Sequence, residues 1–193
     1  MALQYRSKII AKLVFLVVIS ASPSFATESS FAARKSPEFT ISEPSGKSIP
    51  LSSLKGKVVV MEFFFLQSNH CIHVAKMLNK LNMEMGARGL QVLGVVFDPP
   101  NMPNSGGRIV GPAVDFFKLT YPVGYSSKAD VDRYLERKQQ QLLNIPQIIV
   151  IDRAGMIRAA SGAAGGDPRL EDENSLRILV EGLLRERIST LSK

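Results

Sequence analysis

The most constraining feature of this chain is a change of apolar period between residues 58 and 85. Val58, Val59, Val60, Met61, Glu62, Phe63, Phe64, Phe65 and Leu66 form a nearly unbroken apolar run rich in β-branched and aromatic side chains. That pattern suits a strand covered on both faces in the middle of an α/β sheet. Beyond it Val74, Leu78, Leu81 and Met85 fall on one stripe of an amphipathic helix. The joint between them reads Ser68-Asn69-His70-Cys71, and it holds the one cysteine and, with His73, both histidines of the chain. With Ser68 as N-cap, Cys71 takes the third helical position and the Ser68 hydroxyl accepts its backbone N–H. The positive end of the helix and a neighbouring imidazolium both favour thiolate over thiol. The competing reading of such a cysteine is simple packing, since free cysteine is among the most buried residue types.

The remaining bounds come from the ends and the composition. Arg6, Lys8 and Lys12 precede the apolar run from Leu13 to Ile19, and Ser24-Phe25-Ala26 has the small-x-small form of a cleavage site. Residues 1–26 therefore read as a secretory signal peptide, too short in its apolar core to span a bilayer comfortably. The formal charge is +7; without those three cations, 21 basic residues face 17 acidic ones. An excess of four with no basic run does not argue for nucleic acid. Export also gives the cysteine count meaning. One cysteine permits no intrachain disulfide, so any disulfide chemistry at Cys71 needs a sulfur from outside.

Residues 27–37 are small and polar, a linker. Phe39-Thr40-Ile41 and Ser48-Ile49-Pro50-Leu51, separated by Glu43-Pro44-Ser45-Gly46-Lys47, predict a short β-hairpin. Gly86 and Gly89 stop the central helix, and Leu90 to Phe97 is a second buried strand. Residues 98–107 read as loop, Pro112 as the opening of a helix through Leu119, and Tyr121 to Gly124 as a short extended piece. A charged helix is expected from Asp130 to Leu143, with Val131, Leu135 and Leu142 inward. Ile145 to Ile151 follows as a strand with Pro146 at its mouth, then a hairpin through Asp152-Arg153-Ala154-Gly155 into Met156-Ile157-Arg158. A last helix carries Leu176, Leu179, Val180, Leu183 and Leu184 on one side. This order is that of an α/β layer fold with a right-handed crossover, whose sites lie at the carboxyl ends of the strands.

Taken as an ordered set, four pieces resemble the thioredoxin-like superfamily, specifically its exported TlpA-like and AhpC/TSA-type redoxins. They are Leu51-Ser52-Ser53-Leu54-Lys55-Gly56-Lys57, the strand-to-helix joint, Gly89-Leu90-Gln91-Val92-Leu93-Gly94-Val95, and Ile145-Pro146-Gln147-Ile148-Ile149-Val150-Ile151-Asp152-Arg153. The likeness runs from about Pro37 to Ile188 and implies a thioredoxin-like α/β fold. Its central mixed sheet is flanked by helices, with an N-terminal β-hairpin extension, over residues 38–190. It implies a cis proline facing the active-site thiol at Pro146, with Ile145 beside it as part of a substrate groove. It also implies a buried proton-accepting carboxylate at Glu62, and a histidine at position 70 that tunes thiol acidity.

The departure from that family is Ser68, which stands where the first cysteine of Cys-x-x-Cys would be. A serine hydroxyl takes no part in thiol–disulfide exchange. The expected function is thus an extracytoplasmic redoxin working through Cys71 alone, periplasmic if the source is a Gram-negative bacterium. Its catalytic set is Cys71, Ser68, His70 and Glu62, it has no cofactor, and its partners are protein or low-molecular-weight thiols and disulfides. No nucleic acid is involved, and no membrane after signal cleavage. Two alternatives stand beside it. Ser68-x-x-Cys71 also matches the Thr/Ser-x-x-Cys of peroxiredoxins, with peroxide as substrate. However, Phe64 replaces their proline and Pro146 falls near their arginine, leaving Arg153 or Arg158 as substitutes. The third candidate is a non-catalytic or copper-binding thioredoxin-fold module, in which His70, Cys71 and His73, with Met77, Met83 or Met85, offer a soft-metal site for Cu(I) or zinc. His70 and Cys71 nevertheless point apart on a helix, and the methionines suit core filling.

Overall fold

The structure is a computed structural model and describes residues 33–98, 106–138, 143–162 and 167–186. Residues 1–26, expected as a signal peptide, and the first part of the expected linker lie outside the described residues. In chain order the elements are β1 (Arg34–Lys35), β2 (Thr40–Ser42), β3 (Ser48–Pro50), β4 (Val58–Phe64), α1 (Asn69–Met85), β5 (Leu90–Val96) and α2 (Gly106–Phe117). They continue as β6 (Val123–Tyr125), α3 (Lys128–Tyr134), β7 (Gln147–Ile151), β8 (Met156–Ala160), α4 (Pro168–Glu171) and α5 (Glu173–Arg185). The eight strands form one mixed sheet in the order β1-β8-β7-β4-β5-β6-β2-β3. β4 runs parallel to β5 and antiparallel to β7, while the expected hairpin of β2 and β3 joins the far edge through β6.

All seven residues of β4 are buried, which is why its sequence shows no alternation. Its two faces nonetheless serve two cores. Val58, Val60 and Phe64 pack with Val74, Leu78 and Leu81 of α1 and with Leu176 and Val180 of α5. Val59, Met61 and Phe63 pack with Phe39, Val131, Tyr134 and Ile157 on the other side. There Phe39, Phe63 and Tyr134 form an aromatic cluster with ring centroids 5.0–5.6 Å apart. Each such side chain contributes about 1.5–3 kcal/mol by leaving water, so residues 58–64 anchor both layers. At the end of α1 the chain turns at Gly89, whose φ of +105° suits a residue without Cβ.

Four expectations change on contact with tertiary structure. Arg34 and Lys35, within the stretch read as linker, pair with Ile157 and Met156 as an edge strand. α2 starts at Gly106 rather than Pro112, and Pro112 lies inside it. The extra turns bury Val110 in the core, an apolar gain that outweighs the hydrogen bond a proline removes from a helix. The charged helix is shorter than the expected span from Asp130 to Leu143. Ser127 caps it by accepting from the Asp130 N–H, and it ends at Tyr134, with Glu136 already left-handed at φ +54°. Leu142 lies outside the described residues. Finally, a four-residue helix, α4, precedes α5; the sequence reading had none there.

Candidate active site around Cys71

The chain leaves the carboxyl end of β4 through residues 65–67 and enters α1 at Ser68. The Ser68 hydroxyl accepts the Cys71 N–H at 3.3 Å, as its N-cap position requires. The helix stripe that buries Val74, Leu78 and Leu81 also buries Cys71, whose exposure is 0 %. This burial works against the expected shift toward thiolate. Burial pushes the Cys71 thiol above its ordinary value, and hydrogen bonds involving the Ser68 side chain and the Phe65 backbone only partly offset it. The charges of Glu62 and Glu171 add to the upward shift, so the nearby electrostatics favour thiol over thiolate.

Glu62 sits beneath this sulfur for a reason of register. It occupies an even position of β4, on the α1 face with Val60 and Phe64, and its neighbours across the sheet are Gly94 on β5 and Ile148 on β7. Gly94 has no side chain to offer. Val123 and Phe64 approach to 3.0–3.1 Å of the place its Cβ would take. Glu62 is 0 % exposed, and neither carboxyl oxygen has a hydrogen-bond partner. Burial, with a smaller push from Glu171, raises its pKa well above the usual carboxylate range, so the group holds its proton. Tyr121, just ahead of β6, is buried close by. Its hydroxyl donates to the carbonyl of Ala75, one turn beyond Cys71, at 3.3 Å. Burial and then the Glu62 charge hold its proton in place.

Of the other expected site residues, Pro146 is cis to Ile145 and buried. Because Gln147 pairs with Phe63, Pro146 lies beside the carboxyl end of β4, the end from which α1 departs. Ile145 is half-buried and packs against both cores. His70 does not point at the sulfur. It is 56 % exposed, and its Nε2 lies 2.7 Å from Glu171 Oε2 on α4. His73 is exposed. Glu62, Ser68, Cys71 and Pro146 thus share one end of the sheet, and His70 stands at its rim.

The two arginines considered for holding peroxide belong elsewhere, which removes them from that role. Arg153 donates to the carbonyls of Gly56, Arg88 and Leu184 at 2.9–3.3 Å, at the opposite end of β4. Arg158 is paired with Asp152 and Glu186. The metal reading loses its geometry as well. Cys71 is buried, His73 is exposed, Met85 is core and Met83 is exposed. Among the described residues no three His, Cys, Asp or Glu side chains gather as ligands would. Sequence reasoning missed Glu171 and Tyr121. Asp167-Pro168 is a recognisable helix start, yet nothing local brings a residue 101 positions away to His70.

A mixed sheet with a helix opening after its central strand, one thiol in the first turn of that helix and a cis-proline loop alongside defines a thioredoxin-like protein. The AhpC/TSA family model matches residues 32–160, and the chain belongs to that family. No curated protein matches it. Among solved structures, a hypothetical protein from Sinorhizobium meliloti superposes with a TM-score of 0.66 at 14% identity, covering 83% of this chain and 88% of its own. A thiol:disulfide interchange protein from Bacteroides sp. gives 0.62 at 22% identity over 82% of this chain and 93% of its own. The thioredoxin domain of a thiol-disulfide oxidoreductase from Bacteroides vulgatus gives 0.60 at 23% over 76% and 96%. At these identities the likeness is one of fold.

Proposed function

We propose that this protein is an extracytoplasmic thioredoxin-like redoxin acting through the single thiol of Cys71, with protein or low-molecular-weight thiols and disulfides as partners. The observation that carries this reading is Glu62. A carboxyl group buried with both oxygens unpaired costs several kcal/mol and contributes nothing to packing that a leucine would not. Such a group is retained where a proton has to be held, and this one faces the helix turn that bears the only thiol. Its raised proton affinity brings it toward that of a thiol, the condition for efficient transfer between them.

The cycle balances with one sulfur. In its ionised form, the minor one below its raised pKa, Glu62 takes the Cys71 proton as the sulfur attacks a disulfide RSSR′, forming Cys71–S–SR and releasing R′S⁻. A second thiolate from outside then attacks the sulfur of R, forming a new disulfide, and Cys71 leaves as thiolate and recovers its proton from Glu62. Ser68 orients the turn, and Ile145–Pro146 forms the wall against which a partner chain lies. The peroxide reading is the weaker one, because the charges acting on Cys71 are negative and peroxide cleavage needs a cation at the oxygens. Export is supported by the pattern of residues 1–26, and among the described residues no helix is long and apolar enough to cross a membrane.

The test is mixed-disulfide formation between the native protein and oxidised glutathione, followed by mass spectrometry. An adduct on Cys71 is expected, forming at least about tenfold more slowly in Glu62→Gln. A native chain that forms no adduct, while the urea-unfolded chain labels freely, would reduce Cys71 to a packing residue. Sulfenic acid appearing on Cys71 under stoichiometric peroxide, faster than any mixed disulfide forms, would also overturn the reading.

A further inference from the structure

The site has one polar contact that neither the fold nor the thiol cycle requires. Leu170 is buried in the core and Asp167 caps α4 by accepting from the Arg169 N–H, so α4 is held at a fixed place over the start of α1. Arg169, the cation on α4, is bonded to Asp167 through both its Nε and its guanidinium end, at 3.0 and 2.7 Å. It therefore does not neutralise Glu171. The Glu171 carboxylate, only 17 % exposed, instead meets the His70 imidazole at 2.7 Å. Further along, Lys80 with Glu173 and Glu84 with Arg177 join α1 to α5 at 2.7 and 2.6 Å, so the clamp between these helices does not depend on His70.

We propose that Glu171 is a positioning residue of the Cys71 site, holding the His70 imidazole on α4, turned from the sulfur, and setting beside the thiol a carboxylate that opposes its ionisation. The inference rests on Cys71 being the working thiol. Adjacent helical residues point about 100° apart, so an imidazole fastened to α4 cannot also serve the sulfur of the next residue. The titratable groups around the sulfur are Glu62 on β4, Glu171 on α4, His70 and the exposed His73 on α1, and Tyr121 ahead of β6. Among them Glu171, and Glu62 in its ionised form, are the ones whose charge acts on the thiol, and both disfavour its ionisation. Glu171 also acts on Glu62 in the same sense. It thus opposes ionisation of both members of the proton-transferring pair, and neutralising it eases both.

The experiment follows Cys71 ionisation in the full-length protein by thiolate ultraviolet absorbance, with Cys71→Ser as the blank that subtracts tyrosine. Glu171→Gln keeps a hydrogen-bonding oxygen for His70 and loses the charge; Glu171→Asp keeps the charge; Glu171→Ala loses both. Thermal melts establish that each is folded. Glu171→Gln and Glu171→Ala are expected to raise the thiolate fraction at a given pH about three- to tenfold, the span of half a pKa unit to one, with Glu171→Asp following the parent. A Gln variant that titrates like the parent while Ala differs would make the contact merely structural and overturn the proposal, as would Asp behaving like Gln. The glutathione adduct is measured on the same samples. If no variant forms it, the thiol-exchange function fails on its own, and the titration still decides the role of Glu171.

Discussion

Glu62 makes a prediction whose sign runs against the usual behaviour of carboxylates. Its folded proton affinity is raised, by burial first and Glu171 second, while in the unfolded chain it titrates at about 4.3. Between that value and the folded one, the native state keeps a proton that the unfolded state has lost. The stabilising contribution is therefore complete below the unfolded value and drains away as pH rises toward the folded one. One proton corresponds to a limiting slope of about 1.4 kcal/mol per pH unit, which holds wherever the pH lies between the unfolded and the folded value. Glu62→Gln, nearly the same size and unable to ionise, removes that slope. Urea unfolding of parent and variant across the acid-to-neutral range isolates the effect in the difference between the two. The variant is expected to gain on the parent steadily as pH rises, while losing proton transfer at Cys71. If the two stability curves run parallel, Glu62 is paired or solvated in the folded protein, and the account of it as a proton store is wrong.

Two further perturbations test the frame around the site. In Gly124→Ala the new Cβ would lie 2.4 Å from the Ile41 side chain and 2.5 Å from the Ser42 carbonyl oxygen. Because that oxygen is backbone in the β2–β6 contact, a loss of about 3 kcal/mol is expected, read by thermal melting, with faster amide exchange across residues 40–50. Arg153→Ala removes donors from the carbonyls of Gly56, Arg88 and Leu184 and should cost about 2–3 kcal/mol. The Cys71 titration should stay unchanged, because these carbonyls lie at the far end of β4. A variant of parental stability whose thiol chemistry is lost would restore Arg153 to the site.

Much of the architecture was legible because it is written in short-range pattern. The apolar run at 58–66, the stripe Val74, Leu78, Leu81, Met85, the Ser68 cap and the strand after Pro146 each reflect neighbours within a few residues, and each appears where expected. Errors arose where a local signal was outbid by burial. Pro112 reads as a helix start, but Val110 pulls the helix back to Gly106. Arg34 and Lys35 carry no strand pattern and become one by pairing with β8. Ser68 and Glu62 could be named from the sequence as candidates; the arrangement that gives them their character could not.

The sequence by itself determined the order of the layers, the place of the one thiol at the mouth of a helix, and the absence of any internal disulfide partner. Tertiary structure decided that the sulfur is covered, that Glu62 lies unpaired beneath it, that His70 is tied to Glu171 across 101 residues, and that Arg153 belongs to the other end of the sheet. The division has a physical basis. Periodicity and capping are properties of one segment and its own backbone, whereas desolvation and charge–charge contact depend on which other segments close over a group.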